Sequence, residues 1–244
     1  MPNFIASSAG INVLEAEDIS GRYWNANIPE ERWTQECPEY LNGISEKNKA
    51  ILSRKDDDFN RLTWTEVQHL VNTNHIERFQ RTSSQLRAYL EYIHYLQKRY
   101  GSVLSYVQHE RLNWEDITPS GNRLFTNPTD YKILYNDWPY YVDQDIKHLV
   151  IWTKFTIEED EITGKLTPAA AAQVEEFISG TFCSGEGPRV ERDQIAWFKN
   201  WKSLKSVHAL EHFHVMLYKA PVKLLVSITG GDRPRAETWT AGVT

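Results

Sequence analysis

Cysteine is scarce in this sequence and long apolar runs are absent, and each shortage excludes a class of protein. The 244 residues include two cysteines, Cys37 and Cys183, which are too few for a disulfide framework. We therefore expect reduced thiols and a cytoplasmic location. No stretch approaches the roughly 18 consecutive apolar residues of a membrane-spanning helix, and the first residues lack a signal-peptide pattern, so we expect no membrane partner.

The motifs that bind common cofactors are also missing. The sequence has no glycine-rich phosphate loop, no dinucleotide-binding fingerprint and no nucleophile elbow. Its Cys and His residues do not have the spacing that completes a four-ligand zinc site. We therefore expect no cofactor and no resident metal ion.

Charge is unevenly distributed along the chain. The formal net charge is −6, which argues mildly against a nucleic-acid partner. Residues 189–235, however, contain nine Lys or Arg and four Asp or Glu, so this segment carries a charge of +5. A basic patch on an acidic protein can still bind a phosphate backbone. A solvated basic face without a partner is the alternative.

Helix signals dominate the chain after residue 60. Thr63-Trp-Thr-Glu66 matches a capping box, in which a hydroxyl and a carboxylate satisfy free backbone N–H groups at a helix start. Apolar residues at helical spacing predict a second helix from Ser83 or Ser84 to Gly101 and a short third helix over 103–109. Later helices are predicted over 167–180, where Gly180 ends the helix, and over 221–228.

Strand signals begin after Trp114. Runs rich in Ile, Val, Tyr and Trp predict strands over 131–135, 146–153 and 195–199, and a last strand that ends at Tyr218. The order of elements predicts an α+β fold, with a helical N-terminal half packed on a mostly antiparallel sheet.

We interpret the domain organisation as a single catalytic domain with flanking segments. Residues 1–60 are polar and irregular and are typical of a wrapping arm. Residues 61–230 contain the predicted helices and strands and form the α+β domain. Residues 231–244 are interpreted as a loose C-terminal tail.

The last predicted strand separates its residues by chemistry, because side chains alternate across a strand. One face carries three histidines, and we expect their imidazoles to project into a cleft while the other face packs on the core. Two hydrogen-bonded histidines in a polar strand are the structural alternative. The histidine face contains His208, Leu210, His212, His214, Met216 and Tyr218, and the opposite face contains Val207, Ala209, Glu211, Phe213, Val215 and Leu217.

Two turns and two strands form a pattern that resembles a known superfamily. The pattern comprises Asn136, Pro139-Tyr140 and His148-Leu-Val-Ile, followed by Asn200, Ser206-Val and His212-Phe-His214-Val-Met-Leu. It is similar to the histidine-triad nucleotide hydrolases and transferases, which implies a histidine-triad-like core, with His212 as nucleophile and His214 as its partner. The pattern departs from the family at Leu210, where the first triad histidine belongs.

A second resemblance covers most of the chain from Leu62 onward. Its blocks are Trp64…Leu70-Val…Asn74…Glu77-Arg-Phe, Tyr135-Asn-Asp-Trp-Pro-Tyr-Tyr, His148-Leu-Val-Ile-Trp and Trp197-Phe-Lys-Asn-Trp…His212-Phe-His-Val. These blocks resemble a fungal family of N-acetylglucosamine-induced proteins and proteins of unknown function, some of which are arginine-containing cyclodipeptide synthases. The resemblance implies an aminoacyltransferase whose partners are arginyl-tRNA and a second aminoacyl-tRNA, which it joins into a diketopiperazine. The alternatives are the histidine-triad activity and a non-catalytic regulatory role in amino-sugar metabolism.

The synthase activity requires a base, oxyanion donors and an arginine pocket. His212 and His214 are the candidates for proton transfer, with Ser206 or Asn200 near the reacting carbonyl; Ser206 is also the first nucleophile to test. Candidate residues for binding the arginine substrate are Asp137, Tyr140, Trp152, Trp201 and Glu211, which combine carboxylates with aromatic walls. An Asx-turn packed under Trp138 is the structural alternative for Asp137. The tRNA would contact Arg189, Arg192, Lys199, Lys202 and Lys205.

Overall fold

A computed structural model of the chain describes residues 22–121, 123–160, 162–200 and 210–240. The chain divides into two compact units, the first formed by residues 1–59 and 82–90 and the second by residues 60–81 and 91–244. The division into an arm, a catalytic domain and a tail remains an interpretation of the sequence. In the described part of the chain, no helix combines the length and the apolar character needed to cross a bilayer.

Four strands form one sheet in the second unit. They are β1 (Tyr131–Tyr135), β2 (Ile146–Thr153), β3 (Ile195–Phe198) and β4 (Glu211–Tyr218), in the order β1-β2-β4-β3 with every pairing antiparallel. This confirms the predicted α+β class and its antiparallel sheet. The predicted bounds of β1 and β2 are correct, and β3 ends one residue before the prediction. The first predicted residues of the last strand, 207–209, lie outside the described residues.

The described residues form six α-helices, and capping residues predicted from the sequence mark the starts of two of them. Thr63 accepts a hydrogen bond from the Glu66 N–H, and the Glu66 carboxylate accepts one from the Thr63 N–H at 2.8 Å, so the predicted capping box is confirmed. The hydroxyl of Thr167 caps a later helix in the same way by accepting from the Ala170 N–H. The helices are α1 (Glu46–Leu52), α2 (Trp64–Asn72), α3 (Ser83–Tyr100), α4 (Val103–Tyr106), α5 (Pro168–Ile178) and α6 (Val222–Thr229).

Two helices continue into π-helical turns, which the sequence did not predict. One turn covers Val107–Arg111 after α4, and the other covers Ser179–Cys183 after α5. The predicted end at Gly180 is therefore wrong. Gly180 has no positive φ and stays within the π turn, whereas Gly101 adopts φ +77° directly after α3, the left-handed conformation in which glycine ends a helix.

Both faces of the sheet are buried. The β4 residues Phe213, Val215 and Leu217 pack against α5 and α6, as the predicted apolar face requires. On the other face Met216 packs with Ala196 and Phe198 of β3 against α2 and the segment 76–79. The central strand β4 is therefore interior on both sides, which places the histidines of its second face inside the second unit.

The end of the described chain packs on the second unit. The Asp232 carboxylate accepts two hydrogen bonds from the Arg111 guanidinium at 2.7 and 2.9 Å, and the Ala236 N–H donates to the Asp137 carbonyl at 2.9 Å. The ring of Trp239 lies 5.0 Å from Tyr92 between centroids. Ion pairing and aromatic packing thus hold residues 232–239, which we interpreted from the sequence as a loose tail.

Candidate functional site

The register of the central strands brings three histidines together. In the pairing of β2 with β4, Val150 lies opposite His214 and Trp152 lies opposite His212, while His148 lies opposite Met216. His148 and His214 are therefore diagonal neighbours on the same face, within reach of each other's side chains. His148 is a site residue that the sequence argument named only within the two family resemblances and gave no role.

A chain of four side chains connects β2 to the end of β3. His148 Nε2 lies 2.9 Å from His214 Nδ1, and Asn136 Nδ2 lies 3.2 Å from the same Nε2 atom. At the other end, His214 Nε2 lies 3.0 Å from Asn200 Nδ2. Asn200, a predicted oxyanion donor, is thus buried and bonded to His214.

The hydrogen-bond network determines the tautomers of this chain. The Asn136 Oδ1 accepts the Trp138 N–H at 2.9 Å, so its Nδ2 must donate to His148. His148 Nε2 is then an acceptor, and the ring proton of His148 is on Nδ1, which has no hydrogen-bond partner in the described part of the chain. His214 donates from Nδ1 to His148 and accepts from Asn200 at Nε2. Both nitrogens of His214 are therefore used internally.

The two linked histidines are neutral. Burial, with a smaller contribution from the nearby Arg81 guanidinium, lowers the pKa of His148 from 6.5 to about 3. Burial also holds the pKa of His214 well below its usual value, with smaller contributions from His148, His212 and Arg81. Neither ring gains a proton at neutral pH, so both act there as neutral hydrogen-bonding groups.

The depressed pKa values predict a loss of stability in acid. Below pH 6.5 the unfolded chain takes up a proton on each of these histidines, whereas folded His148 stays neutral down to about pH 3. Each histidine should therefore lower the free energy of unfolding by up to about 1.4 kcal/mol for every pH unit below 6.5. Urea unfolding of the protein between pH 7.5 and 4.5 measures this slope.

Three variants separate this effect from general acid denaturation. His148→Gln and His214→Gln should each flatten the pH dependence, whatever their stability at pH 7.5. His75→Gln makes the same exchange at an exposed imidazole outside the buried chain and is the matched control. Equal slopes in all four proteins would contradict the buried neutral assignment.

His212 belongs to the same face but has a different environment. Its Nδ1 lies 2.9 Å from the Leu210 carbonyl oxygen, which can only accept, so the ring carries its proton on Nδ1. Nε2 is then the nitrogen with the lone pair, as a base or nucleophile requires. The ring packs against half-buried Trp152 with 4.4 Å between centroids.

The rings of the three histidines are shielded from bulk solvent. His148, His212 and His214 are 3%, 3% and 5% exposed. Phe198 stacks on His214 at 5.0 Å and Tyr140 stacks on His148 at 5.2 Å, because both aromatic residues lie on the same side of the sheet as the rings. Tyr140, predicted to stack on substrate, is in this structure part of that interior aromatic packing.

The two predicted acidic binding residues face internal cations. The Asp137 carboxylate lies 2.7 Å from the Arg111 guanidinium; burial raises the pKa of Asp137, and the charge of Arg111 opposes this. Glu211 lies 3.2 Å from Lys199, which also pairs with Glu159. Alternation along β4 places Glu211 on the face opposite to His212.

The predicted tRNA contacts do not share one environment. Lys199 is buried between its two carboxylates. Arg192 is exposed and donates to both carboxylate oxygens of Glu175, and exposed Arg189 donates to the Gly185 carbonyl at 3.1 Å. Four further predicted site residues, Trp201, Lys202, Lys205 and Ser206, and also His208, lie outside the described residues.

Sequence reasoning missed several groups that build this site. Arg81 donates to the Trp138 carbonyl and lies 5.1 Å from the Tyr140 ring, so it supports the turn that carries Asn136. Asn136 itself appeared only within the two family resemblances, without a role. The sequence carries no signal for Arg81, because a cation in a loop has no periodicity that identifies its partner.

In the described part of the chain, no three His, Cys, Asp or Glu side chains are grouped as metal ligands.

Comparison with known proteins relates most of the chain to one family. Residues 63–218 match the family model described as "Protein of unknown function (DUF3605)". N-acetylglucosamine-induced protein 1 of Candida albicans is 29% identical over 189 residues, which cover 70% of this chain and 73% of that protein. Uncharacterized protein YPL067C of Saccharomyces cerevisiae is 23% identical over 172 residues, 69% of this chain and 84% of that protein.

One solved structure shares the fold. The structure entitled "Crystal Structure of HTC1" aligns with a TM-score of 0.53 at 21% identity, covering 69% of this chain and 96% of that chain. At this identity the likeness concerns the fold alone.

Proposed function

The chain belongs to the DUF3605 family of proteins of unknown function, and we propose that it is a tRNA-dependent synthase of arginine-containing cyclodipeptides. The proposal rests on the resemblance of its sequence blocks to fungal synthases of this kind. It is supported by one structural observation, the tautomer of His212. The Leu210 carbonyl holds the proton of His212 on Nδ1, so that Nε2 is the proton-accepting nitrogen.

This nitrogen suits the two aminolyses that the reaction needs. The amine of one aminoacyl group attacks the ester carbonyl of the other, so that a C–N bond forms and the ester C–O bond to the tRNA ribose breaks. His212 Nε2 takes the proton of the attacking amine and returns it to the departing ribose oxygen. A second aminolysis closes the six-membered ring and releases the other tRNA. The esters are already activated, so the reaction consumes no ATP.

The surroundings of His212 offer groups for a guanidinium substrate. Trp152 is half-buried and packs against His212, so a guanidinium stacked on its ring would lie beside the base. On the face of β4 opposite to His212, the carboxylates of Glu159 and Glu211 both pair with Lys199. The Glu211 carboxylate also accepts a hydrogen bond from the backbone N–H of His212 at 3.2 Å.

Product formation tests the proposal directly. We expect a bacterial host that expresses the chain to accumulate an arginine-containing diketopiperazine, because the host supplies charged tRNAs. Mass spectrometry of the culture extract, with the empty vector as control, detects it. The purified protein should form the same compound from arginyl-tRNA and a mixture of aminoacyl-tRNAs, and ribonuclease treatment beforehand should abolish it.

The same imidazole geometry supports one competing function. A histidine with its Nδ1–H on a carbonyl also suits attack on phosphorus, as in the histidine-triad nucleotide hydrolases and transferases. The two functions give opposite results. If extracts and purified reactions contain no diketopiperazine while the protein hydrolyses nucleoside phosphoramidates, the synthase proposal fails and the histidine-triad activity replaces it.

A further inference from the structure

A cavity in the second unit lies on the face of the sheet opposite to the histidines. It has a volume of about 250 Å³ and is formed by the loop 123–126, Tyr131 at the start of β1, the third turn of α5 and the π turn that follows. Drug-sized ligands occupy pockets of about 300–1,000 Å³, so this cavity suits a smaller molecule. Nothing in the proposed reaction uses it.

Aromatic rings form the apolar wall of the cavity. Phe125 stacks on Phe177 with 4.3 Å between centroids, and Tyr131 meets Phe177 edge to face at 5.0 Å. Phe125 adopts φ +64°, a left-handed conformation that a bulky residue rarely takes. Such strain persists where the surroundings impose it, and it is frequent at binding sites. The adjoining π turn is likewise frequent at functional sites.

The polar part of the lining consists of Gln173, Glu176 and Arg123, with the hydroxyls of Thr126 and Thr181. Gln173 and Glu176 lie three residues apart on α5 and share one helix face. No hydrogen bond in the described part of the chain holds the Gln173 amide, whose Oε1 is buried without a donor. Arg123 pairs with Glu176 at 2.6 Å, and the two side chains are 62% and 68% exposed. An ion pair this exposed is weak and separates readily.

We propose that this cavity binds a free α-amino acid with an apolar side chain, held as a zwitterion. The ammonium group would donate to the Glu176 carboxylate and, once the Gln173 amide rotates toward the cavity, to the unpartnered Gln173 oxygen. The carboxylate would take the Arg123 guanidinium, which binds such groups with two parallel hydrogen bonds. The side chain would pack on Phe125, Tyr131 and Phe177.

The arrangement matches a zwitterion better than a simple ion. A simple cation in the cavity would be repelled by the Arg123 guanidinium. A simple anion would be repelled by the Glu176 carboxylate. An amino acid satisfies both charges when the exposed pair opens. Gly180 lies on the wall, and a Cβ built there meets no atom within 4 Å, so the entrance beside it is open.

Calorimetric titration with L-phenylalanine and L-leucine tests the proposal without tRNA or turnover. We expect a dissociation constant on the order of 1 mM, as is usual for so small a ligand. N-acetyl-L-phenylalanine and L-phenylalanine methyl ester each lack one charge and should bind at least about tenfold more weakly, since each loses a charge-assisted hydrogen bond.

Variants of exposed residues complete the test. Glu176→Gln and Gln173→Leu should each weaken binding of L-phenylalanine about tenfold or more, because they remove acceptors for the ammonium group. Glu46→Gln alters a comparable exposed pair with Lys49 on α1 and should leave binding unchanged. Two results overturn the proposal: absence of binding up to about 10 mM, roughly ten times the expected constant, or equal binding of the blocked analogues. Because the titration needs no reaction, its failure leaves the synthase proposal untouched.

Discussion

Replacement of Arg111 by methionine should lower the free energy of unfolding by about 3–5 kcal/mol. The Arg111 side chain is 6% exposed and lies 2.7 Å from a carboxylate oxygen of Asp137 and 2.7 Å from one of Asp232. Without the guanidinium, two carboxylates stay in the interior without their cation. Urea unfolding at pH 7.5 measures the loss.

A matched variant separates the buried pair from surface pairing in general. Arg123→Met breaks an exposed pair with Glu176 and should cost no more than about 1 kcal/mol. Adding Asp137→Asn and Asp232→Asn to Arg111→Met should recover part of the loss, because neutral amides no longer carry unpaired charge. Either of two results would show that the ion-pair cluster of Arg111, Asp137 and Asp232 does not stabilise the fold. One is a loss below about 1 kcal/mol for Arg111→Met, and the other is no recovery in the triple variant.

The pH dependence of the Arg111→Met variant gives an independent readout. In the native protein Arg111 opposes the effect of burial on both carboxyl groups, and the pKa of Asp232 is lowered. Without Arg111, its lowering effect on both carboxyl groups is lost, so both pKa values in the folded state are higher in the variant than in the native protein. As the pH falls from 6 to 4, the folded variant therefore takes up protons on these carboxylates before the folded native protein does. The difference in the free energy of unfolding between the two proteins should shrink over this range.

The ion-pair cluster of Arg111, Asp137 and Asp232 also connects the end of the described chain to the candidate site. Asp232 accepts the Tyr135 N–H at 3.0 Å, and Asp137 accepts the Ala236 N–H through its carbonyl. Asn136 lies between these two anchors and donates to His148. Loss of Arg111 should therefore disturb the histidine chain as well as the stability of the unit.

Much of the fold could be predicted because its signals are local. The capping box at Thr63 involves residues three apart, and the strands over 131–135 and 146–153 consist of β-branched and aromatic runs. The π turn over Ser179–Cys183 could not be predicted, since it depends on how the helix end packs rather than on its own spacing. Asp232, one of the two carboxylate partners of Arg111, lies 121 residues away along the chain, and no pattern in the sequence indicates that the two residues pair.

The candidate site shows the same division. Alternation along the last strand placed His212 and His214 on one face, as the structure confirms. The sequence could not show that a second layer covers this face, because that depends on α2, Phe79 and Phe198 packing from distant parts of the chain. It also could not distinguish the roles of the two rings. Only the acceptor at Leu210 and the groups around His214 show that the His212 ring carries its proton on Nδ1, whereas the His214 ring bonds to His148 at one nitrogen and to Asn200 at the other.

Conversion of His212 to asparagine should reduce diketopiperazine formation by about 10²–10⁴-fold, the usual contribution of a positioned base. Asparagine keeps an N–H donor near the position of Nδ1, so the bond to the Leu210 carbonyl can remain, but it has no nitrogen at the position of Nε2. The midpoint of thermal unfolding should therefore change little compared with the yield of product. Single-turnover reactions with charged tRNA measure the rate.

His75→Asn provides the matched control, because it makes the same exchange at an exposed imidazole and should retain the full rate. His214→Asn should lower stability and product together, since His214 uses both ring nitrogens within the buried chain. A proton acceptor at His212 predicts loss of rate without loss of fold. If His212→Asn keeps more than about a tenth of the rate, far above what loss of a catalytic base allows, the base must be sought elsewhere in the chain.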